Sequence, residues 1–276
     1  MDLGLNEKVA LVAASSKGLG RAVAFALAAE GARVVVSSRD IEALSKTAAE
    51  ISKTTGAEVH HHAADLTKPD EVKALVAAAV ERFGGVDVLV NNSGGPPAGN
   101  FEDFGDDGWQ GAFELNLMSM VRCVREVLPH MRERGESGGR IVNIASSSIK
   151  QPIQGLTLSN TFRAAVAGLA KSLSAELAPD GILVNTIGPG RIATDRSAGF
   201  DAASAERLGV SVGETRTRAE ALIPLGRYGE PEELARVVAF LDSPVKVRMC
   251  GTGARHVLLG LLFGLPGRKG ARMVEG

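Results

Sequence analysis

The sequence predicts an α/β fold, a single domain built on a doubly wound parallel sheet with helices on both faces. Two observations lead there. Short apolar runs alternate with longer segments of helical periodicity over most of the chain. The apolar runs are continuous rather than alternating with polar residues, the pattern of strands covered on both faces. Over 276 residues, 45% hydrophobic content supplies a sizeable core, and 33 glycines suit a chain that must make many tight βα turns.

The elements follow in order. Val9–Ala13 is an apolar strand that runs into a Gly-x-Gly turn and a helix over about 18–30, which Gly31 ends. Val34–Ser37 is the second strand, followed by a helix at 41–55. Val59–His62 is the third; its histidines point to opposite faces in succession and no Cys or carboxylate stands at ligand spacing, so no metal is expected. Thr67, Pro69 and Asp70 start the helix at 68–83, and Gly84 ends it. Val86–Asn91 ends in asparagines, and Asp106, Asp107 and Trp109 open a long helix at 106–134 as cap and packing residues. Ile141–Ala145 ends in serines, and a helix at 157–178 follows a short loop. Ile182–Ile187 and a helix at 230–241 complete the series. There is no internal repeat and no flexible interdomain linker, so residues 1–244 read as one domain. From Val245 the composition shifts to Gly, Leu, Arg and Lys with Glu275 alone acidic; both a divergent tail over 245–276 and a shifted reading frame fit that change.

Composition narrows the function. A formal net charge of −1 gives no field that would favour nucleic acid or an anionic membrane. Cys123 and Cys250 match no metal or redox spacing and suit a reducing compartment. The opening residues carry Asp2 and Glu7 and do not read as a secretory signal, and no run approaches the ~20 apolar residues of a membrane span. A cytoplasmic protein with a small-molecule ligand is therefore expected.

The chemistry begins at Ala14-Ser15-Ser16-Lys17-Gly18-Leu19-Gly20, between the first strand and first helix. Glycines there let backbone N–H groups approach a pyrophosphate, whose charge the helix N-terminus favours. After the second strand stand Ser38 and Arg39 where an acidic residue would hold a ribose 2′-hydroxyl. With Lys17 in the turn, the corner is cationic and suits the extra phosphate of NADP better than NAD.

These segments, with Asp65-Leu66, Asn91-Asn92-Ser93-Gly94, Ile141-Val-Asn-Ile-Ala-Ser146 and Pro189-Gly190-Arg-Ile192-Ala-Thr194, resemble the short-chain dehydrogenase/reductase family, a Rossmann-like fold, over about residues 5–243. The resemblance implies that Ala14, Ser16, Lys17, Gly18, Leu19 and Gly20 hold the pyrophosphate. It places Asp65 and Leu66 at the adenine, unless Asp65 only caps a helix. Asn92 and Gly94 would fall at the cofactor, with Asn91 bracing the sheet, and Pro189, Gly190, Ile192 and Thr194 at the nicotinamide. It implies catalytic places for Asn116 and Ser146. The family's Tyr-x-x-x-Lys falls on Ser159 and Arg163. An alkyl hydroxyl is a poor acid or base unless a partner activates it, and a guanidinium binds ribose but cannot shuttle a proton. Lys150 is the candidate replacement if it lies partly buried beside Arg163. Tyr228 stands in a loop the family shares and is not expected to substitute. Gly95-Pro96-Pro97-Ala98-Gly99 would wall the substrate pocket, and about 195–222 would form a mobile lid whose Arg207, Arg216 and Arg218 hint at an anionic substrate or are simply solvated. The function implied is NADP-dependent hydride transfer on a carbonyl/alcohol pair, resembling a 3-oxoacyl-carrier-protein reductase, with a non-standard proton donor. The alternative is a non-catalytic dinucleotide sensor or partner subunit. A homo-oligomer, dimer or tetramer, is implied through the helices at 106–134 and 157–178.

Overall fold

Six parallel strands form one sheet in the order β3-β2-β1-β4-β5-β6. The structure, a computed structural model, describes residues 2–135 and 138–243; the tail from Val245, with the readings placed on it, lies outside them. The strands are β1 (Val9–Val12), β2 (Arg33–Ser38), β3 (Val59–Ala63), β4 (Val88–Asn91), β5 (Arg140–Ile144) and β6 (Leu183–Ile187). The helices are α1 (Gly18–Ala29), α2 (Ile41–Thr55), α3 (Pro69–Phe83), α4 (Asp106–Phe113), α5 (Ser119–Arg132), α6 (Thr157–Glu176), α7 (Asp195–Leu208), α8 (Val212–Glu220) and α9 (Pro231–Asp242). The predicted doubly wound α/β architecture is the one observed.

The continuous apolar runs have a simple cause. Successive strand side chains point to opposite faces, and each face has its own core. Ala10, Val12, Val34, Val36, Val88 and Val90 pack with side chains of α1, α2 and α9. Val9, Leu11, Val35 and Leu89 pack on the other face with side chains of α3 and α5. The strand order reverses between β1 and β4, which opens a crevice at their carboxyl ends; such a switch point is where open α/β sheets bind ligands.

Two segments differ from expectation. The helix read as continuous over 106–134 is interrupted by a π-helical turn at Glu114–Met118 between α4 and α5. The extra residue carries Asn116 inward, where it is completely buried. Glu114 pairs with the nearly buried Arg122 at 2.6 Å, and Arg122 also donates to the Thr67 carbonyl at 3.0 Å, tying the turn to the start of α3. The predicted lid is two helices, α7 and α8, each started by a reciprocal cap: Thr194 with Ser197, and Ser211 with Glu214.

Candidate active site

The turn after β1 is held open by its backbone. Ser15 Oγ donates to the Val12 carbonyl at 2.7 Å and accepts from the Ser37 N–H at 2.9 Å, pinning the turn to β2. Thr47 Oγ1 of α2 donates to the Ser16 carbonyl at 2.9 Å. Gly18 has φ +57°, and Ala14 is also left-handed at φ 47°. Asn92 Nδ2 donates to the Ala14 carbonyl at 3.1 Å, and Gly20 lies directly beneath that pair. Lys17 precedes α1 without capping it by its side chain, and the first turn carries no acidic residue, so the leading N–H groups stay free for an anion. Leu19 is half-buried against the core.

Ala14 is strained where glycine would not be, since a left-handed L-residue costs roughly 1–2 kcal/mol. Ala14→Gly is expected to stabilise the protein by up to about 1 kcal/mol once the added freedom of the unfolded glycine is set against that relief. Urea denaturation measures it; an unchanged or lowered midpoint would show that the turn carries no strain at Ala14.

The adenine end lies beyond β2 and β3. Ser38 Oγ donates to the Asp40 carbonyl at 3.1 Å, and Arg39 is exposed. Asp65 Oδ1 accepts from the Thr67 N–H at 3.0 Å and the Thr67 hydroxyl at 2.8 Å, so one carboxylate oxygen fixes the turn before α3, whose N-cap is Lys68. Burial pushes the Asp65 carboxyl up, but the two Thr67 donors, with Arg39 and Lys68, hold it below its usual value. Arg39 and Asp65 therefore share one corner of the cleft. Leu66 packs beside them on the second core.

The carboxyl ends of β4 and β5 form the centre of the crevice. Asn91 Nδ2 donates to Asn143 Oδ1 at 2.9 Å, joining the two strands, which is the bracing role expected of it. Asn116 Nδ2 donates to the Gly94 carbonyl at 2.8 Å and to Ser93 Oγ at 3.1 Å. Ser146 begins a short 3-10 turn, its Oγ accepting from the Ser148 N–H at 3.1 Å. Ser159 and Arg163 are one turn apart on α6 and both buried. Arg163 donates to the Ile144 carbonyl at 2.9 Å and to the Ser93 and Gly94 carbonyls at 3.3 Å each. Burial, with a smaller contribution from Arg196, brings its guanidinium down to about 10, still a cation at neutral pH.

The loop after β6 faces the turn after β1. The Pro189 carbonyl accepts from the Ser147 N–H at 2.9 Å, and Gly188 lies against the Ser146 carbonyl, so Gly190 starts from a fixed point beside β5. Ile192 is buried, and Thr194 Cγ2 lies 3.9 Å from where a Gly18 Cβ would stand. Gly18 and Thr194 line one cavity with Arg21, Ala193, Asp195 and Pro231, while Gly94 and Arg163 meet at the ends of β4 and β5.

Three sequence readings need correction or settling. Lys150 is exposed, not partly buried beside Arg163: the Ser147 carbonyl accepts from the Lys150 N–H at 3.1 Å and the Gln151 N–H at 3.2 Å, and the tight turn leaves its side chain at the surface. Arg216 and Arg218 pair along α8 with Glu220 at 2.9 Å and Glu214 at 3.6 Å, and Arg207 occupies the last turn of α7, so these three carry no anion site. Tyr228 is a latch: its hydroxyl donates to Asp201 at 2.8 Å and accepts from Arg191 at 3.1 Å, fastening α7 to the loop before α9. Burial and then the bond to Asp201 raise its phenol above the ordinary value, which makes it a poorer acid. The residue that sequence reading missed is Arg196. Its guanidinium packs directly on Gly95 although the residue as a whole is exposed. The available signal was its position two residues beyond Thr194, where the chain re-enters the groove.

Among the described residues no group of three His, Cys, Asp or Glu side chains could hold a metal, and no helix is long and apolar enough to cross a membrane.

A doubly wound parallel sheet whose order reverses between β1 and β4, with a glycine turn between β1 and α1, is the frame of the dinucleotide-binding oxidoreductases. A family model described as Enoyl-(Acyl carrier protein) reductase matches residues 13–256. The chain is 39% identical over 241 residues to a putative ketoacyl reductase of Streptomyces coelicolor, covering 87% of this chain and 91% of that one. It is 34% identical over 250 residues to a 3-oxoacyl-acyl-carrier-protein reductase of Vibrio cholerae, covering 90% and 95%. Among solved structures, L-sorbose reductase from Gluconobacter frateurii, complexed with NADPH and L-sorbose, superposes with a TM-score of 0.85 at 34% identity, covering 90% of this chain and 94% of that chain. An actinorhodin polyketide ketoreductase with NADPH superposes at 0.83 with 38% identity, covering 88% and 92%. The chain belongs to the short-chain dehydrogenase/reductase family.

Proposed function

We propose that this protein is an NADPH-dependent carbonyl reductase with a non-standard proton donor. The observation that carries it is the phosphate turn, which keeps Gly20 seated under the Ala14 carbonyl and the first N–H groups of α1 free. The residues fit the cofactor: Ser16 to Gly20 for the pyrophosphate, Arg39 with Lys17 for the 2′-phosphate, Asp65 for the adenine, and Gly94 and Thr194 around the nicotinamide. Relatives crystallised with NADPH support the same choice. When bound, NADPH supplies the hydride.

The protein's own groups then divide the work. The Ser146 hydroxyl donates to the substrate carbonyl oxygen and orients it. The buried Arg163 cation stabilises the negative charge that develops on that oxygen, in a region of low dielectric where such a field is strong. An alkoxide is basic enough to take a proton from an ammonium or from water, so reduction does not require a phenol. With Lys150 exposed and not beside Arg163, water is the proposed donor. Asn116 keeps its Oδ1 as an unused buried acceptor, a group able to position a relaying water.

The test measures NADPH binding by fluorescence while nicotinamide absorbance is followed with ketones, quinones and acyl thioesters. Lys150→Ala is expected to leave both turnover and NADPH affinity close to wild type, the proton coming from solvent. A loss of about 100-fold with NADPH affinity intact would return the donor role to Lys150 and overturn that assignment. A second reading, a dinucleotide-binding protein without turnover, is favoured by the three backbone carbonyls that occupy Arg163; tight NADPH binding with no turnover on any substrate would select it.

A further inference from the structure

Two guanidinium groups meet in the groove without a counter-charge. Arg163 is 6% exposed and bonds only to the carbonyls of Ile144, Ser93 and Gly94. Arg196 reaches down from the first turn of α7 and lays its guanidinium over Gly95, the residue next to those carbonyls. A methyl group at Gly95 would overlap that guanidinium, so the glycine is the seat on which it rests. The Phe200 ring packs 4.8 Å from Arg196 Cζ and shields its other side. The two cations are close enough that Arg196 disfavours the charged form of Arg163. Among the described residues neither forms an ion pair, whereas Arg191, Arg216, Arg218 and Arg227 all do.

Arg163 is a buried cation with a second guanidinium, that of the exposed Arg196, close by, an arrangement that is unfavourable unless something offsets it. Backbone carbonyls satisfy part of the donor set of Arg163, but they bring no net charge. An oxyanion between the two groups would provide it and could be held by paired N–H donors. The cofactor phosphates have their own cations and N–H groups at Lys17, Arg39 and the α1 N-terminus, on the β1–β2 side of the groove. The Arg163–Arg196 pair lies instead at the ends of β4 and β5, the side that also carries Ser146 and Ser159.

We infer that Arg163 and Arg196 form a carboxylate subsite, so that the substrate is a carbonyl compound bearing a free carboxylate, a keto acid. This rests on the carbonyl-reductase reading above. Arg196 contributes from the lid, so carboxylate binding would also draw α7 onto the groove. The same site disfavours esters and neutral thioesters, which carry no charge to place between the guanidiniums.

The experiment is calorimetric titration of malonate, a carboxylate that cannot accept hydride, into the NADPH-loaded protein and into the protein alone. Alongside it, kcat/KM is compared for acetoacetate and methyl acetoacetate. Malonate is expected to bind, Arg196→Met to weaken it about 30-fold or more, Arg196→Lys to recover part of the loss, and the NADPH Kd to stay unchanged. Wild type should prefer the acid over the ester, and Arg196→Met should erase the preference. Malonate that fails to bind, or that binds Arg196→Met as well as wild type, overturns the inference. So does a weakened NADPH Kd in Arg196→Met with malonate binding unaltered, because Arg196 would then serve the cofactor phosphates. Malonate binding without any NADPH binding would leave the anion site standing and remove the reductase reading instead.

Discussion

Ser159→Tyr combined with Arg163→Lys raises turnover by about 100-fold to 10,000-fold, and by the same factor in alcohol oxidation, which becomes measurable. The reasoning is about acidity. A phenol ordinarily titrates near ~10 and a neighbouring cation lowers it toward neutrality, so it can both give and take a proton in a working pH range. The serine hydroxyl does neither without an activating base, and among the described residues Ser159 has only Arg163 as its charged neighbour one turn along α6. Arg163 holds the Ile144, Ser93 and Gly94 carbonyls through both terminal nitrogens; a lysine has a single nitrogen to distribute. The shorter, more mobile ammonium is then free to approach the ribose and the phenol. Each single variant supplies half of the pair and is expected to gain little, so the double variant should exceed the sum of the two. The assay is oxidation of secondary alcohols with NADP, read beside NADPH binding. If the double variant binds NADPH as wild type does and gains nothing in either direction, the groove is not shaped for proton transfer and the binding-protein reading prevails.

Such a variant is conceivable because so much of the frame was legible in the sequence. The strands β1, β2 and β4 could be read because each feeds two cores at once: Val34 and Val36 face one layer and Val35 the other, so the apolar run is continuous; β3, with three histidines, is only partly buried. The glycines of the turn after β1 could be read from its place between a strand and a helix, whereas Asn116, Ser146, Ser159 and Arg163 were singled out by the family resemblance; the structure brings Asn116, Ser146 and Arg163 to the carboxyl ends of β4 and β5. The π-helical turn was not legible, because a single added residue inside a long amphipathic helix leaves the apolar stripe almost unchanged on either side. The lid helices were missed for a different reason. Among the nine residues of α8 only Thr215 and Ala219 are buried, so its identity rests on the Ser211–Glu214 cap and not on an apolar face.

The errors at the site have a common origin. Lys150 was placed by its proximity in sequence to Ser146, and a 3-10 turn of three residues was enough to leave it at the surface. Arg196 was overlooked because what brings it to the centre is an approach between segments far apart in the chain, the Gly95 backbone and the first turn of α7. That approach depends in turn on the Tyr228–Asp201–Arg191 latch, which sets the position of α7 and contains no residue of the catalytic pattern. Spacing reveals groups that share an element; it does not reveal a charge delivered from a lid. The site as built therefore differs from the site as read mainly in its electrostatics. Lys150 lies at the surface, and a second guanidinium, that of Arg196, stands near Arg163.

The same contrast between place and contact decides the second large effect. Gly20→Ala is expected to weaken NADPH binding by at least about 30-fold and to destabilise the fold by about 2–4 kcal/mol, whereas Gly18→Ala costs roughly 1–2 kcal/mol. Inspection of φ alone ranks them the other way, since Gly18 is left-handed at +57° and Gly20 has no positive φ. The surroundings reverse the order. A Cβ on Gly20 would stand 2.8 Å from Asn92 Nδ2 and closer still to the Ala14 carbonyl oxygen. Both are parts of the 3.1 Å bond that fixes the turn, and Ala14 is already left-handed, so the backbone has little room to yield. Relief requires α1 to move away from β4, and that opens the N-terminal cradle that should hold the pyrophosphate. On Gly18 the added carbon meets Thr194 Cγ2 at 3.9 Å, an ordinary contact, and leaves only the backbone strain. Thermal unfolding and NADPH fluorescence of the two variants give the comparison directly. A Gly20→Ala protein that binds NADPH like wild type, or one more stable than Gly18→Ala, would show that the Asn92–Ala14 contact does not set the phosphate turn.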